Sequence, residues 1–253
     1  MKKLIVVLLA MSVLLSFAAC GEGNKVTIYV PDTMTITSPD GGQSAAAKYV
    51  FEEGWETKES FSVNLEVTGL EGVEENVSMM TMVYSERTLV TEQVGGVRIT
   101  TVFNEKGQTV STTTENTRGE TSVTMETTST YDARGRKLTD QTKTSYGDQA
   151  EPVTTSVTYT YTDTDTGSEG RSEAGSMVSV LTYDKNDRLV CTSQILNGEE
   201  MSRTENTFNE AGNLTCSKTY LEGKLVSMTE TTFRTVQVSR ETADRLPNFK
   251  RGN

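Results

Sequence analysis

Histidine is absent from all 253 residues, which removes the commonest general base and the commonest metal ligand together. Hydrolases built around a serine–histidine pair and zinc centres built on imidazole are excluded with it. No nucleophile elbow, phosphate-binding glycine loop or cluster of metal-ligand residues is present either. Carboxylates are plentiful, but no two stand out as a glycosidase pair. Beyond the first 20 residues no run is apolar enough to cross a hydrocarbon core of about 30 Å, which takes about 20 apolar residues. Positive charge is short as well: 24 Lys and Arg face 35 Asp and Glu, a formal net charge of −11. A surface this acidic repels nucleic acid and anionic lipid headgroups.

What is abundant is threonine, about one residue in six, while leucine and alanine thin out after the first 20 residues. Threonine is branched at Cβ and stiff at χ1, so it suits a pleated, half-wet surface better than a helix. The composition points to an all-β chain.

The N-terminus has its own logic. Lys2 and Lys3 precede an apolar run from Leu4 to Leu15, and small residues close it at Ala18 and Ala19 before Cys20. That is the anatomy of an export signal, too short to be a membrane span. The stretch Leu15-Ser16-Phe17-Ala18-Ala19-Cys20-Gly21 resembles the lipobox of bacterial lipoproteins, with Phe17 standing where that motif usually has Leu. The resemblance implies that diacylglycerol is joined to the Cys20 thiol and that cleavage leaves Cys20 as the new N-terminus. Loss of Lys2 and Lys3 takes the formal net charge from −11 to −13. Two or more acyl chains make a stable membrane anchor where one does not. The alternative reading of the same residues is an ordinary signal cut after Ala18, which leaves a secreted soluble protein.

From about Tyr84 a short phrase recurs: an aromatic, Asp or Asn, two variable residues, usually Gly, then an alternating strand. The copies are Phe103-Asn104-Glu105-Lys106-Gly107, Tyr131-Asp132-Ala133-Arg134-Gly135, Tyr183-Asp184-Lys185-Asn186-Asp187 and Phe208-Asn209-Glu210-Ala211-Gly212. The Asx side chain opens a turn and the glycine accepts positive φ, which makes a tight hairpin with a bulge. Second turns follow at Asn197-Gly198 and Glu222-Gly223, and Asn-Gly between alternating runs is the strongest short hairpin signal. Fixed periods of this length signal a repeat architecture. The expected fold is an antiparallel meander of repeated β-hairpins forming one extended or curved sheet. The phrase resembles the YD repeat of Rhs-type bacterial surface proteins, and Tyr131-Asp132-Ala133-Arg134-Gly135-Arg136-Lys137-Leu138 is its nearest copy. That resemblance implies wrapped β-sheet over Tyr84 to Phe233, and no toxin or protease segment accompanies it.

The organisation read from these signals is a lipoprotein signal peptide over 1–19, a tether and N-terminal strands over 20–72, a YD-like repeat region over 73–238 and a tail over 239–253. The N-terminal strands are either a cap on the sheet edge or the start of the same sheet. Cys191 and Cys216 each fall eight residues after the aromatic of their repeat. Equivalent strands of a meander stand one strand apart, about 9.6 Å, which exceeds the reach of a disulfide. Two free thiols are expected. Trp55, Tyr159 and Tyr161 are candidates for an aromatic ligand platform, weighed against filling a sheet face. Asp163, Asp165 and Glu169 space carboxylates as a calcium loop does, weighed against a solvated acidic loop. The expectation is a non-catalytic lipoprotein at the cell membrane or surface, an interaction or spacer module for glycan or protein, without cofactor. A carbohydrate-active enzyme or a soluble-ligand carrier is the alternative, and the carrier would need a continuous apolar concave face.

Overall fold

A computed structural model describes residues 25–39, 45–68, 77–116, 122–147 and 151–246. The expected signal peptide over 1–19, the lipidation residue Cys20 and residues 247–253 of the expected tail lie outside them. Seventeen strands form one sheet: β1 (Lys25–Thr37), β2 (Ala45–Phe51), β3 (Ser60–Thr68), β4 (Val77–Ser85), β5 (Thr88–Gln93), β6 (Val97–Phe103), β7 (Thr109–Asn116), β8 (Val123–Tyr131) and β9 (Lys137–Tyr146). They continue as β10 (Val153–Thr158), β11 (Thr160–Thr164), β12 (Gly167–Ala174), β13 (Met177–Asp184), β14 (Leu189–Leu196), β15 (Glu199–Phe208), β16 (Leu214–Leu221) and β17 (Lys224–Ser239), followed by helix α1 (Arg240–Arg245).

The sheet is the antiparallel hairpin meander that the alternation implies, and it goes further than an extended sheet by closing on itself. β1 pairs with β2 on one side and with β17 on the other. The strands of the N-terminal section therefore belong to the same sheet as the repeats. A seam remains at β10 and β11, two halves of one extended segment, of which the first pairs with β9 and the second with β12. The result is a barrel, in which closure removes most of the unpaired edge that an open sheet would expose.

Register identifies the inner wall. Val63 stands opposite Met82, Met82 opposite Thr91, Thr91 opposite Ile99, and the line runs on through Thr114, Met125 and Thr144 to Val153. Val63 and Met82 are each 1% exposed, and in a one-layer barrel only the inside can bury them. The opposite face carries Lys48, Glu92, Arg98, Glu126, Lys143 and Glu169, whose residues are exposed. Such charges are spread over strands that a membrane barrel would clad with an apolar band.

The repeat phrase sets the geometry of one barrel end. In all four copies the Asx N–H donates to the carbonyl oxygen four residues on, at 2.9 Å, and the Asx Oδ1 accepts the N–H of that same residue at 2.9 to 3.0 Å. Gly107, Gly135, Asp187 and Gly212 occupy the left-handed position. A register shift falls between each aromatic and the residue before it, the bulge expected of such turns. Asn197-Gly198 and Glu222-Gly223, with positive φ at both residues, make type I′ turns at the opposite end.

Cys191 and Cys216 are both free, on β14 and β16 with β15 between them. The tail read from residue 239 begins instead as a docked helix. Ser239 caps α1 by accepting the Thr242 N–H at 3.0 Å, the Thr242 hydroxyl donates to the Glu56 carbonyl at 2.7 Å, and Ala243 and Leu246 are buried.

Candidate functional site

The two ends of the barrel differ in what they do with their inward side chains. At the repeat end the phrase aromatics point inward: Phe103 and Tyr183 are buried, and Tyr131 and Phe208 are half-buried. Tyr131 donates to the Thr109 carbonyl at 2.7 Å, and burial, reinforced by the charge of Asp140, pushes its phenol up to about 12. Phe51, Trp55, Phe61 and Tyr84 continue the layer with ring centroids 5.0 to 6.4 Å apart. The β1–β17 ribbon and α1 add Ile28, Val30, Val238 and Leu246 to the same cluster. This end is packed shut.

At the opposite end, among the described residues, Ile36, Ala45, Val67 and Met80 of β1 to β4 are likewise buried, but inward residues of other strands stay exposed. Met125, Tyr146, Val153, Met177 and Leu221 retain 37 to 57% of their surface exposed, and all five sit at that end on the inward face. Tyr146 faces Val123, Met125 and Val153 both face Thr144, and Met177 faces Leu196. Val94, also exposed, lies in the β5–β6 turn of the same end. A shallow depression among the ends of β5 to β8 is lined mostly by polar and charged residues, Glu92, Arg98, Glu115 and Asn116 among them, with Val97 and Val123. Below the apolar mouth, the wall carries hydroxyls in cross-strand pairs: Thr127 with Thr142 at 2.9 Å, and Ser179 donating to Gln194 at 2.9 Å. Asp140 accepts from Ser129 at 2.6 Å and pairs with Lys137 at 3.0 Å.

The structure distributes the sequence candidates differently. Trp55 is 3% exposed, packed at a tilt against Phe51 and Phe61 at the closed end, so it presents no platform to a ligand. Tyr159 and Tyr161 point inward. The Tyr161 ring lies between Gly170 and the Arg136 guanidinium, whose carbon is 4.5 Å from the ring centroid, and its hydroxyl donates to the Lys137 carbonyl at 2.6 Å. Its role is to close the seam. Asp163 pairs with Arg134 at 2.8 Å and Arg136 at 3.1 Å. Glu169 faces Thr162, and so stands on the other side of the sheet from Asp163, which faces Ser168. Asp163 and Glu169 do not converge, and among the described residues no group of three or more His, Cys, Asp or Glu could hold a metal.

The mouth residues carry no individual sequence signal, because each is a single apolar residue near a strand end. Their common signal, an apolar inward residue within three positions of every alternate turn, emerges only once strand ends are aligned. No family model matches the chain, and no curated protein matches it. Among solved structures, a porin-like protein from Bacteroides uniformis aligns at 12% identity over 83% of this chain and 96% of that one, with a TM-score of 0.44. A protein of unknown function from the DUF3598 family of Nostoc punctiforme aligns at 12% identity over 82% and 95%, with a TM-score of 0.14. Neither likeness bears on fold or function at these scores.

Proposed function

We propose that this chain is a non-catalytic, lipid-anchored binding barrel, exported to the bacterial cell surface, that receives an apolar or amphipathic ligand through its open end. The observation that carries the reading is the contrast along the inner wall, shut with aromatics at one end, while at the other Met125, Tyr146, Val153, Met177 and Leu221 stay exposed on the strands from β8 to β16. Exposed apolar side chains gathered at one concavity mark a binding site, whereas scattered ones do not. Among the sequence alternatives this is a form of the carrier, with an apolar rim above a hydroxyl-lined wall in place of a continuous apolar face. The complete lack of histidine supports a role without catalysis.

The test is a titration of the mature protein with N-phenylnaphthylamine, an uncharged dye that brightens in apolar sites. Saturable one-to-one binding is expected. Met125→Asp and Met177→Asp should each weaken it at least tenfold, about the 1.4 kcal/mol that loss of an apolar contact brings. Thr128→Asp, on the outer face, should not. Binding that ignores both mouth substitutions would remove the proposal.

A further inference from the structure

The inner wall below the mouth is laid out in rows of hydroxyls. Beneath the line through Thr114, Met125, Thr144 and Val153, the next inward line runs Thr101, Thr112, Thr127, Thr142 and Thr155, one residue from each of the five strands β6 to β10. A second line joins Thr192, Thr204, Thr219 and Ser227 on β14 to β17. Each line sets one hydroxyl per strand at the strand spacing of about 4.8 Å. Thr101, Thr112, Thr127 and Thr142 are half-buried on this concave wall, and Thr155 is exposed. Thr127 and Thr142 bond each other at 2.9 Å. Among the described residues no hydrogen bond engages the hydroxyls of Thr101, Thr112 or Thr155.

On β6 to β10 no inward position from the threonine line to the rim is charged. Charge sits one residue away on the outer face, where Arg98 faces Glu115 and Glu126 faces Lys143. Asp140, an inward carboxylate beneath the line, is already engaged by Ser129 and Lys137. A hydroxyl both donates and accepts, so a wall of hydroxyls matches a group that does the same. An ion brought against this wall would give up hydration and meet no opposite charge on it.

We propose that the ligand is an amphiphile with an uncharged, polyhydroxylated head, of the alkyl glycoside class. Its sugar hydroxyls bond the threonine line of β6 to β10, and its chain lies against Met125, Val153 and Met177 at the rim. This rests on the binding reading above and adds to it the chemistry of the head.

The probes share one octyl chain and differ in the head: octyl glucoside, octyl sulfate and octyltrimethylammonium, each kept below its micelle concentration. They are titrated against N-phenylnaphthylamine bound to the mature protein, in about 0.15 M salt to screen the protein's net charge. Octyl glucoside should displace the dye at about tenfold lower concentration than either ion, the margin that two hydrogen bonds supply. Thr112→Val combined with Thr142→Val keeps the branched shape and removes two hydroxyls. This variant should bind octyl glucoside about tenfold more weakly and the dye as before. Equal displacement by the three heads overturns the proposal while leaving the binding barrel in place, and so does an unchanged glucoside affinity in the valine variant. Free glucose that competes as well as octyl glucoside overturns it too, because the ligand is then a sugar without a chain. Failure of the dye itself to bind removes the barrel reading, and this proposal with it.

Discussion

Tyr161 and Gly170 show how one residue can be fixed by another across a seam. A methyl group on Gly170 would stand 2.5 Å from Cε1 of the Tyr161 ring, closer than packed atoms approach. Gly170→Ala must push the ring off the strand, breaking the hydroxyl bond to Lys137 and the guanidinium stack of Arg136 together. Overpacking of this kind costs about 1 to 3 kcal/mol, whereas Tyr161→Phe removes one hydrogen bond worth about 1 kcal/mol. The two substitutions share one interaction, so the double variant should be less destabilised than their sum. Urea unfolding of the four proteins measures this, and an unaltered midpoint for Gly170→Ala would sink the account. Asp187 illustrates what was legible at this scale. It stands where the phrase calls for Gly and takes φ of 55°, a position that Asp tolerates better than most residues. Trp55 was not legible, because an aromatic reads alike whether it faces a ligand or, as here, the packed end of a barrel.

The element that organises the molecule is the Asx turn, and two copies add a charge clamp. Asp132 accepts the Arg136 N–H and pairs with its guanidinium at 2.7 Å, and Asp184 does the same with Arg188 at 2.6 Å. Burial pushes both carboxyls up, but the hydrogen bonds and the adjacent positive charge outweigh it and hold them below the usual carboxylate range. A carboxyl whose folded pKa is lowered contributes stability that is complete above its unfolded pKa of about 3.9 and is lost as pH falls through the folded value. Urea midpoints should therefore stay flat down to about pH 5 and fall below about pH 4. Arg188→Met, which removes the guanidinium from Asp184 and from over the Phe208 ring, should lower the midpoint at neutral pH and flatten the acid limb. An unchanged acid limb in that variant would separate the clamp from acid stability. The meander itself was legible because alternation and turn chemistry are local. Closure was not, since it rests on β1 meeting β17 some 200 positions away, and a bulge between Pro31 and Met34 tunes that pairing.

On the scale of the whole molecule, the direction of β1 decides how an anchored barrel would stand. β1 runs from the closed end, at Lys25, toward the open end, at Thr37, and Cys20 is five positions before Lys25. Five residues reach at most about 17 Å, so a lipid on Cys20 would hold the aromatic end against the membrane and aim the mouth away from it. Cys20→Ser should move the protein from the membrane fraction to the soluble one, and its persistence in membranes would end the anchor proposal. Orientation is tested separately, after Cys191 and Cys216 are replaced by Ser and Thr, the residues that Ser111 and Thr139 place at the same point of other repeats. A fluorophore on a cysteine put at Glu105, in a closed-end turn, should be quenched by a bilayer-embedded quencher in the anchored protein. One put at Val94, 64% exposed beside the mouth, should keep its emission. Stronger quenching at Val94 than at Glu105 would mean that the mouth faces the bilayer, and the ligand would then have to come from the membrane rather than from the surroundings of the cell.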